Sequence, residues 1–584
     1  MTSSLSDMPG TEDEGSRHTL RLGKHKGRGR RPWRSGRLDF APRPLALEDR
    51  KPAGPTVFRE QRKRIEAGTI FAAVVALATI AFVAVLAYRA TRVDIEQTGL
   101  EDGAALDGRA AAALEVRIKF ASRGDARAAS LSFDGEAVEE PTIQGATMVW
   151  KPPGELAEGE HRLVLAVPRA VLDDAHLTWR FTVDLTPPTV EVPPMIEPVA
   201  IDAPAEVKGR VEEGSTVRAD GEEIEVDDEG NFTLSYTRAP AGPIALEAVD
   251  EAGNATPASV VVPVTYPSLR GVHVSAPAWG NDELRNGILR LVDEGRIDTV
   301  ELDLKDDQGI VGFDTTVERA HQIGAVTAFY DLDEAVRALR DRGARVIGRV
   351  VAFRDPTLAH AAWGAGETNQ VIQSPAGGPY GSAGQFTNFA DPAVRRYNLA
   401  IALDAVNRGV DDILWDDTRR PGGDPAGMVI PGLSGSPSDS IAGFLAEAHS
   451  ELRRRGAYQG VTTDGEAADQ GDLVGQDVPR IAANSDYVAP QIFPGYWSAG
   501  RHDVASPINQ PGDLVRAVLQ RFQQASAYRG AVLAPWLQDF ALRGVSYGDA
   551  QVRAQIDAAA SLGIDRFILW DPSVTYSAGA LVPR

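Results

Sequence analysis

Residues 298–304 read DTVELDL and run directly into KDDQG (305–309). Val300, Leu302 and Leu304 alternate with Glu301, Asp303 and Lys305. A strand points successive side chains to opposite faces, so this spacing sends an apolar set one way and a charged set the other. A solvated sheet face explains such a pattern only if the strand lies at the surface. In a closed barrel the apolar set packs under surrounding helices and the charged set enters the lumen, where it must be paired or hydrated.

Seven other segments support the barrel. They are GVHVSA (271–276), ARVIGRVVAF (344–353), DDILW (411–415), YQGVTT (458–463), SDYVAPQIF (485–493), GAVLAPWL (530–537) and DRFILW (565–570). Amphipathic stretches at 333–342, 393–407, 439–455, 511–525 and 549–562 lie between them. Eight strands alternating with helices predict a (β/α)8 TIM barrel over residues 268–584. An open doubly wound sheet is the competing topology. It more often carries a Gly-rich phosphate loop after its first strand, and SAPAWGNDE (275–283) is not one.

Upstream, the grammar is all β. LEVRIKF (114–120) alternates apolar with charged residues, and Asp220-Gly221 and Glu229-Gly230 are hairpin signals. Residues 95–186 and 187–266 are expected to form two small β-sandwich, immunoglobulin-like modules. The DEAGN stretch (250–254) has too few acids for a calcium loop and reads as a turn.

Still earlier, Ala67 to Tyr88 is a run of 22 residues without a charge, long enough to span a bilayer. Residues 1–66 hold 16 Lys and Arg against 9 Asp and Glu, a net of +7 within a chain of net charge −22. This Arg-, Gly- and Pro-rich segment is expected to be disordered and cytoplasmic. The positive-inside rule then makes 67–88 a single transmembrane helix with the C-terminal domains outside the cell. No nucleic-acid partner is expected. Cysteine is absent, which removes disulfides, thiolate metal sites and cysteine nucleophiles. No cofactor or metal is called for, and oligomeric state cannot be read.

In a TIM barrel the chemistry lies at the C-terminal ends of the strands. Those ends supply Asp303, Lys305 and Asp306 from strand two, Arg349 and Asp355 from strand three, and Asp416 and Asp417 from strand four. Strand five supplies Asp464 and Glu466, strand six Gln491 and Tyr496, strand seven Trp536 and Gln538, and strand eight Asp571. Trp279, Trp363, Trp415, Trp497, Trp536 and Trp570 also fall at strand ends or in the loops after them. Trp offers a rigid apolar face with one polar tip, which suits the C–H face and hydroxyl edge of a sugar. Two Gly-rich loops, 374–386 and 421–438, are expected over the pocket as lids.

The motifs VELDLKDDQG (300–309), GRVVAFRDP (348–356), DDILWDDTRRP (411–421), VGQDVPRIAANSDYVAPQIFP (474–494), APWLQDF (534–540) and VRAQIDAAASLGIDRFILWD (552–571) resemble, in order and spacing, a bacterial glycoside hydrolase family with a predicted (β/α)8 fold. The likeness runs from about Arg270 to Tyr576. The family's strand-four motif ends Phe-Asp-Tyr-x-Arg-Phe-Pro, so its acid falls on Asp416 and its arginine on Arg419, with the strand-five acid on Asp464. Asp417 and Arg420 depart from the motif, as do Ala534 and the GYW at 495–497. The resemblance implies glycoside hydrolysis by two carboxyl groups flanking the scissile bond. Asp416 is then the nucleophile, Asp464 the acid/base and Glu466 the alternative acid, with Arg419 holding Asp416 ionised. Neighbouring strands lie about 4.8 Å apart, which puts these carboxyls roughly 5–7 Å from each other, nearer the retaining separation than the inverting one. Asp303, Lys305, Arg349, Arg419, Gln491, Tyr496, Trp497, Trp536, Gln538, Trp570 and Asp571 are the expected substrate-binding residues. The expected protein is a membrane-anchored extracellular glycoside hydrolase acting on a cell-envelope or extracellular polysaccharide. The alternatives are an inactive glycan-binding barrel or a structural envelope protein.

Overall fold

The computed structural model describes residues 67–91, 93–169, 173–381 and 385–583. The basic segment expected to be disordered, 1–66, lies outside the described residues. Ala67–Thr91 is one helix of 25 residues. Its side chains are described over 71–85, where Phe71, Leu77, Ile80 and Phe82 are exposed. Among the described residues no helix is long and apolar enough to cross a membrane. The segment expected to span a bilayer is thus found as a helix and not as a demonstrated crossing.

Residues 95–183 form two sheets. One joins Ile95–Thr98, Val116–Phe120, Thr147–Trp150 and Thr142–Gln144; the other joins Ala104–Leu106, Ala175–Val183, Gly159–Val167, Ser130–Phe133 and Glu136–Ala137. Alternate residues of both sheets, among them Val116, Ile118, Met148, Leu163, Leu165 and Phe181, meet in one apolar cluster. Residues 190–260 make a second pair of sheets around Val207, Val217, Phe232, Leu246 and Ala248. The Asp220-Gly221 signal is a two-residue turn joining Thr216–Ala219 to Glu222–Ile224. Both residues have positive φ, 49° and 88°, the backbone that matches strand twist in a tight hairpin.

The C-terminal region closes a parallel barrel of eight strands: β1 (Arg270–Val274), β2 (Thr299–Lys305), β3 (Arg345–Val351), β4 (Asp412–Asp416), β5 (Tyr458–Asp464), β6 (Tyr487–Ile492), β7 (Val532–Leu533 and Trp536–Gln538) and β8 (Phe567–Trp570). Closure is explicit, because β1 pairs with both β2 and β8. β7 is interrupted at Ala534-Pro535, where proline has no N–H to offer the ladder. The helices lie close to their expected positions, at Leu332–Arg340, Pro392–Asn407, Pro437–Arg454, Pro511–Ala525 and Asp549–Ala560. A capping box between Ser436 and Asp439 starts the longest of these.

The alternation in β2 has the anticipated result. Val300, Leu302 and Leu304 join the layer between strands and helices, with Phe313, Ile413, Trp415 and Phe444. The lumen holds a separate cluster of Ile347, Leu414, Tyr487, Ala489, Ala534, Trp536 and Ile568. Trp415 therefore belongs behind the barrel wall: it is fully buried, stacks edge-on against Phe444 at 5.0 Å, and donates from Nε1 to Gln459. Trp279 is buried in the same layer, and Trp363 packs beside Ala359, Ala362 and Val371. These three tryptophans are packing residues, because loops after a strand also return to cover helices.

Candidate active site

Above the apolar lumen cluster lies a polar layer contributed by six consecutive strands. Arg349 of β3 sits at its centre. Its Nη1 donates to Asp303 Oδ1 of β2 at 2.6 Å, and its Nε and Nη2 both donate to Asp416 Oδ2 of β4, at 2.9 and 2.6 Å. The guanidinium also lies 5.5 Å from the Trp536 ring. Burial alone would make Arg349 easier to discharge, but Asp303 and Asp416 outweigh it and raise its pKa.

Asp416 is 5% exposed. Its other oxygen, Oδ1, accepts from the Thr462 hydroxyl of β5, from Gln491 Nε2 of β6 at 3.1 Å, and from the Asp417 N–H at 2.8 Å. Burial favours the protonated acid, yet Arg349 and these donors prevail and hold the carboxyl below its ordinary pKa. The partner that holds Asp416 ionised is therefore Arg349, not Arg419. Arg419 pairs with Asp417 at 2.6 Å and stacks over Phe386. The strand stops at Asp416, and Asp417 takes a left-handed backbone with φ of 46°. That conformation costs a non-glycine residue energy and concentrates at functional sites. Burial and the adjacent Asp416 raise the Asp417 pKa, so two successive carboxyls are driven in opposite directions.

On the β1 side, His273 Nδ1 meets Glu301 Oε1 at 3.0 Å, and Trp536 Nε1 donates to Glu301 Oε2 at 3.1 Å. His273 Nε2 lies 3.7 Å from Asp303. Burial raises the Glu301 pKa, with His273 opposing it. His273 was not among the expected site residues. Its signal was present in GVHVSA, since period 2 places it on the lumen face of the first strand.

Lys305 departs from the expected substrate-binding role. The pairing of β2 with β3 slips between Asp303 and Lys305, and this bulge breaks the alternation that would have kept Lys305 in the lumen. Its ammonium is fully buried, 2.7 Å from Asp355 and 5.3 Å from the Tyr397 ring centre. Gln538 is likewise fully buried. It accepts from Gly495 N and donates to Phe540 O, so it positions the loop carrying Tyr496.

Two clefts open on the rim. One, of about 370 Å³, is lined by Asp464, Glu466, Gln491, Phe493, Tyr496, Trp497 and Arg501 among others. The second, of about 280 Å³, includes His273, Asp303, Asp306, Arg349, Trp570 and Asp571. Asp464 is exposed and accepts the Glu466 N–H. Glu466 is held by a two-pronged contact from Arg501, at 2.9 Å on each oxygen. Asp571 accepts from both the N–H and the hydroxyl of Ser573. Among the described residues neither Gly-rich loop lines either cleft; instead Gln373, just before the first loop, pairs with Val429 of the second through backbone hydrogen bonds, and the Tyr380 hydroxyl donates to the Gly422 carbonyl. Roomier cavities exist elsewhere, one of about 610 Å³ lined by Phe133, Val149 and Trp150 among others, but they lack this polar layer.

The register qualifies the expected carboxyl spacing. Trp415 pairs with Val461, which levels Asp416 with Thr462 and leaves Asp464 two residues further along β5. With strands about 4.8 Å apart and about 3.3 Å per residue, the two Cα atoms are roughly 8 Å apart.

A family model described as a putative glycosyl hydrolase domain matches residues 271–576, just over half of the chain. No curated protein matches it. Among solved structures, the glycoside hydrolase domain of PgaB (BpsB) from Bordetella bronchiseptica is similar at 14% identity, with a TM-score of 0.40, over 55% of this chain and 100% of that one. The glycoside hydrolase domain of PelA from Pseudomonas aeruginosa is similar at 13% identity, with a TM-score of 0.31, over 53% and 96%. A hypothetical protein from Ruminiclostridium thermocellum shows 26% identity and a TM-score of 0.29 over 32% and 96%. The fold and site described above rest on strand pairing and contacts, not on these likenesses.

Proposed function

This chain belongs to the putative glycosyl hydrolase domain family, and from that premise we propose that it cuts a polysaccharide of the cell envelope or extracellular space while anchored in the membrane. The observation that carries the site assignment is Asp416: a buried, ionised carboxylate at the C-terminal end of β4, touching Arg349 of one rim cleft and Gln491 of the other. In this reading Asp464 protonates the leaving glycosidic oxygen as its bond to the anomeric carbon breaks. A water attacks that carbon from the opposite face, and Asp416 receives its proton. Asp464 stands two residues further along its strand than the level of Asp416, an offset that leaves room for a water between the carboxyls and so favours inversion over the closer retaining arrangement. Glu466 is the weaker candidate acid, because Arg501 already occupies both of its oxygens.

Anchoring is supported by the helix Ala67–Thr91, whose Phe71, Leu77, Ile80 and Phe82 expose most of their surface. A helix apolar on every side is stable in lipid or beneath a partner, not bare in water. The basic segment before it places the N-terminus in the cytoplasm. The paired sheets at 95–183 and 190–260 then serve as immunoglobulin-like spacers between membrane and barrel.

One observation favours a second reading, a barrel that binds glycan without cutting it. Asp416 accepts five protein hydrogen bonds, and a carboxylate so satisfied is a weak base. Incubating the full chain with peptidoglycan and a panel of polysaccharides separates the two. New reducing ends that vanish in Asp464→Asn support hydrolysis, whereas retention of a polymer without new ends supports binding alone. Protease added to intact spheroplasts should remove the barrel and spare the N-terminal segment; a barrel that resists until lysis contradicts the topology.

A further inference from the structure

The two rim clefts sit on nearly opposite sides of the barrel. One is built from the ends of β5 and β6, and the other from β1, β2, β3 and β8. In the closed order β1 to β8 their centres are separated by almost half the circumference. Between them lies Asp416. Gln491, from the first cleft, and Arg349, from the second, both donate to Asp416.

The walls differ in character. Asp303, Asp416 and Asp464 rise on the β2 to β5 side. On the β6 to β8 side runs a strip of packed aromatic residues, exposed at Tyr496, half-buried at Trp570 and buried at Phe540 between them. Tyr496 of the first cleft lies 6.0 Å from Phe540, and Phe540 lies 5.1 Å from Trp570 of the second. Phe493 backs the strip, 4.9 Å from Trp570. Tyr496 is 56% exposed, far more than a core tyrosine needs to be. Its neighbours are held in place: Gln538 accepts the Gly495 N–H and donates to the Phe540 carbonyl, so one buried amide sets both ends of the first half of the strip.

A pocket for a terminal sugar is closed on one side of the reacting carboxylate. Here a separate cleft opens on each side of it. We infer that the barrel mouth is an open-ended groove that takes an internal stretch of a polysaccharide chain, with sugar faces stacked on Tyr496 in one cleft and Trp570 in the other, on either side of Asp416. The inference rests on the proposed glycan-directed function and adds the mode: cleavage within chains, not release from an end. An aromatic face in each cleft supports this because it offers apolar surface on both sides of Asp416 without fixing which hydroxyls meet the acid wall.

The test uses the full chain with four probes: chitosan, glycol chitin, carboxymethyl cellulose and peptidoglycan. On any soluble polymer that is cut, viscosity should collapse while only a small fraction of bonds has been broken. Release of monosaccharide or disaccharide from the first turnovers, at unchanged viscosity, overturns the groove and leaves the hydrolase reading intact. If none is cut, retention of the protein in gels containing each soluble polymer, and co-sedimentation with peptidoglycan, replace turnover as the readout. Tyr496→Ala and Trp570→Ala should then each weaken binding about fivefold or more. Trp570→Leu serves where the alanine variant fails to fold, and Tyr496 is exposed enough to be replaced safely. Binding that depends on both residues without cutting upholds the groove and removes the hydrolase. Dependence on one residue alone, or no binding to any of the four, overturns the groove.

Discussion

Arg349 donates twice to a single oxygen of Asp416, from Nε at 2.9 Å and from Nη2 at 2.6 Å, while its remaining Nη1 is engaged by Asp303. One guanidinium therefore fixes the orientation of two carboxylates on neighbouring strands. Lysine carries the same charge as a point and cannot hold two partners in a plane. Arg349→Lys should lower kcat by about a hundredfold through misplacement of Asp416, and should also lower the melting temperature. Unchanged kcat would mean that Asp416 needs no such positioning.

Lys305 gives the opposite forecast. Its ammonium and the Asp355 carboxylate are both fully buried, so removing one charge strands the other. Lys305→Met should cost about 3–5 kcal/mol of stability and leave turnover per folded molecule nearly intact. A loss of activity at unchanged stability would return Lys305 to the substrate-binding set.

How far the site could be read from sequence depended on whether the backbone stayed regular. Period 2 placed Glu301 and Asp303 in the lumen, because β2 runs unbroken through them, whereas Arg349 and Asp416 were read only as residues at the ends of their strands. It failed at Lys305, one step past a bulge, and does not reach Asp417, where the chain turns left-handed. Neither event has a glycine or proline to announce it. The barrel itself was legible because eight apolar runs at regular spacing have few other ways to bury both faces. Pairings between side chains were not: Arg419 is three residues from Asp416 and touches Asp417, whereas Arg349 is far away in sequence and touches Asp416 directly. Tryptophan count was also a poor guide, since Trp279, Trp363 and Trp415 serve packing.

Asp539 offers a pH signature. Burial raises its pKa to about 6, against an ordinary 3.8, although Ser577 donates to it. Between those values the folded protein holds a proton that the unfolded chain has released. Stability from this group is therefore full below about pH 4 and is lost as pH rises through 6. Asp539→Asn removes that dependence. Relative to the parent, the variant should gain up to about 3 kcal/mol between pH 4 and pH 7, read from denaturant melts at both values. A constant difference between the two proteins would show that Asp539 is ionised throughout.

The register between β4 and β5 predicts stereochemistry. With Asp464 a full pleat above Asp416, the sugar released first should carry the inverted anomeric configuration. Proton NMR during the first minutes of hydrolysis reports the anomer before mutarotation blurs it. Net retention would require the carboxyls to approach by side-chain reach, and would make Asp416 a covalent nucleophile.

The most direct measurement is turnover of Asp416→Asn beside the parent protein, on whichever polysaccharide the parent cuts, with thermal melts of both. Asn preserves the shape of Asp416 but removes its charge, while Arg349 keeps Asp303 as a partner. The account predicts activity lower by several powers of ten per folded molecule, because among the described residues no other lumen carboxylate stands level with Thr462 between the two clefts. Some stability should be lost as well, since a buried ion pair is broken. Full activity in a folded Asp416→Asn protein would contradict the account and move the chemistry away from the end of β4.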